Sequence, residues 1–476
     1  MISNKQLWQS IYHIIKYSDY ELAYINEDET DIILQNKSKK ELIRFVSEKQ
    51  SVQSLNFLID KMKDNMDVFN QQLNYTPQRI RLLLVNQETH GELHDELVKV
   101  NSIERKKDLD QLPISFPYKI AADRLKPKAE NTYRNKVIKN NFIDRAMIKF
   151  APATFTLIIM NIIVYLVTML SGHGVSGSRL VDQGGLTHFN FIHGDYFRLV
   201  TSIFLHFDFS HLLFNMMALY IFGKIIEYLY GSFRYLIIYL SAGLLGNLIS
   251  LSFDTTSLSA GASGAISGLL GALIAYFIFS GKFDRKFIIQ SVLGMIIFLL
   301  ISNVFAQVNN LAHFGGLFGG FLAALLTYSY QMNRKYFYLL LIGTGLILVL
   351  LLMNIFSVEE NHIYNNQAEQ SMAQGDFNEA ENILKSTLEH GYENDETYIL
   401  YGLVKAHDSS VSDAMDIWKK GLKQFPESAP LNYQMALAMR AADNYNKAAS
   451  YLDKAMAIDA RPAYKKLRTE IEVFEK

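Results

Sequence analysis

With 476 residues the chain has room for several domains, and 46 Lys+Arg against 47 Asp+Glu leave a net charge of −1 that argues for no charged partner, nucleic acid included. Cysteine is absent, which excludes disulfides, thiolate metal sites and a cysteine nucleophile. The charge is unevenly spread: residues 119–149 hold nine Lys/Arg against three Asp/Glu, whereas 359–476 hold 13 against 20. A basic stretch beside apolar runs and an acidic tail beyond them predict different compartments.

The amino end, Met1 to Trp8, has no apolar core of signal-peptide type, so insertion is expected from internal spans. Residues 1–145 read as a soluble cytoplasmic α/β domain ending in a basic linker. Its elements are an amphipathic helix near Leu7–Ile15, strands at Glu21–Ile25, Asp31–Leu34, Leu42–Val46 and Arg79–Val85, and a helix around Leu55–Phe69. His90 and His94 are four apart and read as solvated residues rather than ligands. Lys119 to Lys149 reads as a linker lying against anionic headgroups.

Seven apolar spans follow, at about 153–170, 207–223, 234–252, 262–280, 287–304, 311–330 and 336–356. With the amino end cytoplasmic, the inside joints carry Lys224, Arg234, Lys282, Arg285, Lys286, Arg334 and Lys335. The outside loops carry only Arg179 and Arg198. This satisfies the positive-inside rule, and an odd number of spans places the carboxyl end outside the cell. Domains are therefore expected at 1–145 (soluble), 146–335 (six-helix membrane core), 336–357 (seventh span) and 358–476.

The last region repeats. Ala380, Ala414 and Ala448 are 34 apart, as are Leu384, Trp418 and Leu452, and Leu388, Leu422 and Met456. Gly375-Asp376-Phe377 and Asp443-Asn444-Tyr445 supply turns in two copies. A period of 34 with a small residue where helices touch resembles tetratricopeptide repeats, which implies a concave surface for protein or peptide binding.

Polar residues at membrane depth are costly unless paired or in a wet cavity, and three groups gather at one level. Ser263 opens the fourth span, where Gly264 and Gly268 form a face for close helix approach. His313 opens the sixth, where Gly316 and Gly320 repeat that spacing. Two such faces bring Ser263 and His313 within hydrogen-bond reach, the arrangement of a base-activated nucleophile. His211 and Asn215, one turn apart on the second span, could direct N–H groups at a tetrahedral oxyanion together with the Ser263 backbone.

Gly261-Ala262-Ser263-Gly264, His206 with His211 and Asn215, and Ala312-His313 with Gly316 and Gly320 resemble the signature of rhomboid intramembrane serine proteases, over about 153–330. The resemblance implies a polytopic α-helical membrane protein. It would have a six-span rhomboid core plus a seventh span, a small α/β amino-terminal domain and an α-helical tetratricopeptide-repeat carboxyl-terminal domain, as in the longer rhomboids of Gram-positive bacteria. It implies Ser263 as nucleophile, His313 as base and acid, His211 and Asn215 as oxyanion donors, and His206, Arg198, Gly261 and Gly264 in support. No cofactor is implied, and the partners are the lipid bilayer and transmembrane substrates. Phe197-Arg198 matches the family's aromatic-Arg pair, Glu227 with Gly231-Ser232 its polar turn, and Ser267 stands where an aromatic is common.

A non-catalytic rhomboid-like scaffold presenting membrane clients to quality-control factors is the alternative; loss of Ser263 or His313 would mark it. A transporter would spread ionisable residues along the midplane. Metal catalysis would need a tighter set of ligands; His188 and His193 read as loop residues.

Overall fold

The computed structural model describes residues 1–73, 75–88, 97–105, 108, 129–138, 142–170, 177–279, 289, 293–294, 309–358 and 360–474. They form two compact units. One contains Met1–Met160 and Leu213–Tyr239; the other contains Asn161–Leu212, Leu240–Gly271 and the carboxyl-terminal helices.

In the first unit, helix α1 (Asn4–Tyr17) starts at a capping box between Ser3 and Gln6 and buries Leu7, Trp8, Ile11, Ile14 and Ile15 along one stripe. A five-stranded sheet follows in the order β1 (Glu21–Ile25), β2 (Asp31–Asn36), β3 (Glu41–Val46), β4 (Arg79–Val85), β5 (Val98–Ile103). The first three strands form an antiparallel meander, and β3, β4 and β5 run parallel. Strand alternation divides the core cleanly. Ile43, Phe45, Leu83 and Val85 pack towards α1, and Leu42, Val46, Leu82 and Leu84 towards helix Val52–Asp64.

Three expectations change here. The helix foreseen over Leu55–Phe69 is two helices, Val52–Asp64 and Met66–Leu73, parted at Asn65, whose backbone leaves helical geometry (φ −94°, ψ 19°) and whose side-chain amide competes for the Lys61 carbonyl. Strand β5 was not foreseen. Where it is described, the basic linker is helical, at Glu130–Ile138 and Phe142–Ile148; Tyr133, Val137 and Ile148 are buried with the α1 residues. Part of its charge is used within the fold: Lys149 donates to the Ser18 and Tyr20 carbonyls (2.6 and 3.2 Å), and Arg134 pairs with Glu29. His90 and His94 lie outside the described residues.

Among the described residues, five helices are long and apolar enough to cross a membrane: Pro152–Leu170, Phe209–Tyr230, Ser232–Phe253, Asn310–Met332 and Arg334–Ser357. Ser263–Phe279 is apolar with 17 residues. Of the span expected at 287–304, all but residues 289 and 293–294 lie outside the described residues. In the first unit, buried Glu227 holds the start of Pro152–Leu170, accepting from the Ala153 N–H (3.0 Å), the Thr154 N–H (2.8 Å), the Thr154 hydroxyl and the Ser232 hydroxyl. A carboxylate on free helix-start donors is favourable on both hydrogen-bond and dipole grounds. Helix Phe209–Tyr230 contains a π-helical turn at Leu219–Gly223. Beyond that turn, Tyr228 donates to Glu21 of β1 (2.7 Å) and Lys224 to the Met147 carbonyl (2.5 Å).

In the second unit, seven helices from Ile363–Ala373 to Pro462–Glu472 pack in sequence. Ala380, Ala414 and Ala448 are fully buried, and Asp376, Ser410 and Asn444, again 34 apart, cap the helices that carry them. The first of these helices meet the loop before the second span. Phe189 lies against His362, Tyr364 and Tyr392 (ring centroids 4.5, 5.7 and 5.5 Å), and the Asn190 amide donates to the Tyr364 hydroxyl (3.0 Å).

Candidate active site

Gly261 sets up the site. Its φ of 134° lies where a side chain is rarely accommodated, and its N–H donates to the Ser202 carbonyl at 2.8 Å. The chain then turns into helix Ser263–Phe279, placing Ser263 at its first position.

The histidine helix, Asn310–Met332, is capped by Asn309, whose side-chain oxygen accepts from the Ala312 N–H at 3.0 Å. The Asn309 amide also donates to Ser250 (2.5 Å) and Ser257 (3.1 Å), so the cap is fixed from three directions. The two helices touch through glycine. A Cβ on Gly264 would stand 3.2 Å from the Ala312 carbonyl oxygen, and one on Gly316 or Gly320 would overlap the carbonyl of Gly264 or Gly268. With backbones this close, His313 Nε2 stands 2.6 Å from the Ser263 hydroxyl. For Nε2 to accept that proton, Nδ1 must carry the ring hydrogen; among the described residues Nδ1 has no hydrogen-bond partner. Ser267, fully buried, donates to the Ser263 carbonyl at 2.9 Å, satisfied by its own helix.

His211 lies with Ser263 and His313 on the wall of one cleft, of about 510 Å³ counting the space open at its mouth. Its backbone N–H donates to Asp208 (2.8 Å), and its ring stacks on Phe207 (centroids 5.8 Å) and meets buried His206 edge-on at 5.1 Å. Asn215 follows one turn later on the same helix, 1% exposed, its amide nitrogen without a hydrogen-bond partner among the described residues. Arg198 lies away from the cleft. It pairs with Asp195 (2.8 Å) and donates to the Val181 and Gly185 carbonyls, bracing the loop. His188 and His193 contact the carbonyls of Ile355 and Phe189 at 2.9 Å each. Among the described residues no three His, Asp or Glu side chains come together as metal ligands.

Sequence reasoning passed over Asn247, Ser259 and Asn309, which border the same cleft. The available signal was an amide in the middle of an apolar span, Asn247, which demands a partner.

Residues 193–330 match the Rhomboid domain family. The chain is 35% identical over 176 residues to rhomboid protease GluP of Bacillus subtilis, covering 36% of this chain and 34% of that one. It is 29% identical over 196 residues to the putative rhomboid protease YdcA of the same organism (40% and 96%). With rhomboid protease AarA of Providencia stuartii the identity is 30% over 199 residues (36% and 71%). The chain belongs to the rhomboid family, and with its apolar helices it is a multi-pass membrane protein. The match spans about a third of the length of GluP.

Proposed function

We propose that this chain is an intramembrane serine endopeptidase that cuts transmembrane or juxtamembrane segments of other membrane proteins. The contact that carries the reading is the 2.6 Å approach of His313 Nε2 to the Ser263 hydroxyl, on the wall of the cleft. His313 takes the proton of Ser263 as the oxygen attacks a peptide carbonyl. The tetrahedral oxyanion is met by His211, Asn215 and the Ser263 N–H, and one such donor is typically worth about 3–4 kcal/mol. The C–N bond then breaks, with His313 returning the proton to the leaving amine. Water entering from the cleft attacks the acyl-serine, His313 again taking and giving the proton, and the ester opens.

Selection rests on unwinding: a substrate helix with small or helix-breaking residues can offer an extended stretch to the strand before Ser263. The carboxyl-terminal helices fit tetratricopeptide repeats, with the 34-residue spacing of buried alanines and capping residues in support, and would recruit protein or peptide partners. The distribution of Lys and Arg supports a cytoplasmic amino domain, seven spans, and an extracellular repeat region.

The test is cleavage of a membrane reporter carrying a helix-breaking transmembrane segment, by wild type, Ser263→Ala and His313→Ala. Wild type is expected to cut and both variants to lose cutting while remaining folded in the membrane. Equal behaviour of all three would favour a client-presenting scaffold.

A further inference from the structure

The strand before the serine, residues 258–261, is stitched along one edge. Ser259 exchanges both backbone hydrogen bonds with Leu186 (2.8 and 3.0 Å), and the Gly261 N–H donates to Ser202. In an extended chain the groups of Leu258 and Ala260 then face the other way, and both residues line the cleft. A third tether comes from a side chain. The Asn247 amide, 6% exposed, donates to the Leu199 carbonyl and the Ser202 hydroxyl, both at 2.9 Å; its oxygen accepts from the Ser259 hydroxyl at 3.0 Å. One buried amide thus clips the strand to the turn that supports it.

We propose that Asn247 is a positioning residue for substrate: it sets the free edge of strand 258–261 at the height where an extended peptide pairs with it. Asn247 touches neither Ser263 nor His313 through any of these bonds, and the dyad is held separately by the glycine contacts and the Asn309 cap. Loosening Asn247 therefore moves the binding edge and leaves the proton transfer in place. A residue that acts on peptide binding shows in KM; one that acts on the nucleophile shows in kcat and in reactivity towards small probes.

The proposal rests on the protease reading, and the experiment separates the two. Asn247→Ala, Asn247→Asp and the milder Ser259→Ala, which removes one tether only, are compared with wild type and Ser263→Ala in full-length protein. Two rates are read: cleavage of the membrane reporter, and labelling of Ser263 by a small fluorophosphonate. Losing two or three buried hydrogen bonds at Asn247 is expected to raise KM about tenfold, with Ser259→Ala between that and wild type. Labelling and kcat are expected within about threefold of wild type. If wild type neither cuts nor labels, the protease reading falls. If wild type does both, the positioning role is overturned either by an unchanged KM or by labelling that falls in step with cleavage.

Discussion

Ser267 occupies the place where rhomboids commonly hold an aromatic, and its hydroxyl is spent on the Ser263 carbonyl within its own helix. No ring from that position confines His313, so the orientation of the imidazole comes from the Asn309 cap and from helix contact. Glu41 in the amino domain is the opposite case, a buried carboxylate held from two sides. Burial pushes its pKa up, but the Tyr20 hydroxyl (2.7 Å) and the Arg81 guanidinium (2.5 Å) outweigh it and hold the group below the ordinary carboxylate value. A depressed folded-state pKa gives stability that is present above the unfolded value, about 4.3 for Glu, and lost as pH falls through the folded one. Acid unfolding of the amino domain is therefore expected to steepen below about pH 4.3, and Glu41→Gln to flatten that limb. Fluorescence of buried Trp8 in a Trp418→Phe background reads it, since these are the only two tryptophans. Ser263, His313, His211 and Asn215 stood out in the sequence because each is a polar group that an apolar span must accommodate, and the contact of Ser263 with His313 was expected from the glycine faces. Asn247 was not, because a lone amide in a sequence does not say which carbonyls it meets.

At the scale of elements, the serine and histidine helices succeed as a pair through what they lack. Gly316→Ala puts a methyl group onto the Gly264 carbonyl with no flexible side chain to give way. It is expected to cost about 1–3 kcal/mol of stability and to part the dyad, read together as a lower melting temperature and slower serine labelling. The apolar helices were legible from hydropathy, and four of the five strands from alternation. What escaped was whatever alternation and hydropathy do not weigh. Strand β5, Val-Lys-Val-Asn-Ser-Ile, is short and half polar, and is a strand because β4 pairs with it in parallel. The π-helical turn at Leu219–Gly223 leaves the apolar run unbroken and so has no trace in a hydropathy profile. In the segment 130–148, charge was visible and the buried stripe of Tyr133, Val137 and Ile148 beneath it was overlooked.

At the scale of the whole molecule, the carboxyl-terminal helices are tied into the unit that holds the serine. Leu258, on the cleft wall, packs in the same apolar cluster as Val181, Phe189, Tyr364 and Leu384. Phe189→Ala removes the ring at the centre of that contact and is expected to weaken it by about 3–5 kcal/mol. Limited proteolysis should then release the carboxyl-terminal helices several-fold faster, and substrate cleavage should slow while labelling of Ser263 persists. Neither the loop nor the repeats announce this contact in sequence, because they are far apart along the chain.

That separation makes the contact a matter of timing. Asn190 and Tyr364 are 174 residues apart, and at ~5–20 residues per second of synthesis the loop waits roughly 10–35 s for its cover. For the last 51 residues of it, between His313 and Tyr364, every wall of the cleft already exists in the growing chain while Phe189 stands bare, a window of roughly 3–10 s at that rate. The newborn protein is expected to pass through a stage with the proposed dyad complete and the binding wall unfinished, so that the first carboxyl-terminal helices would determine when cutting begins.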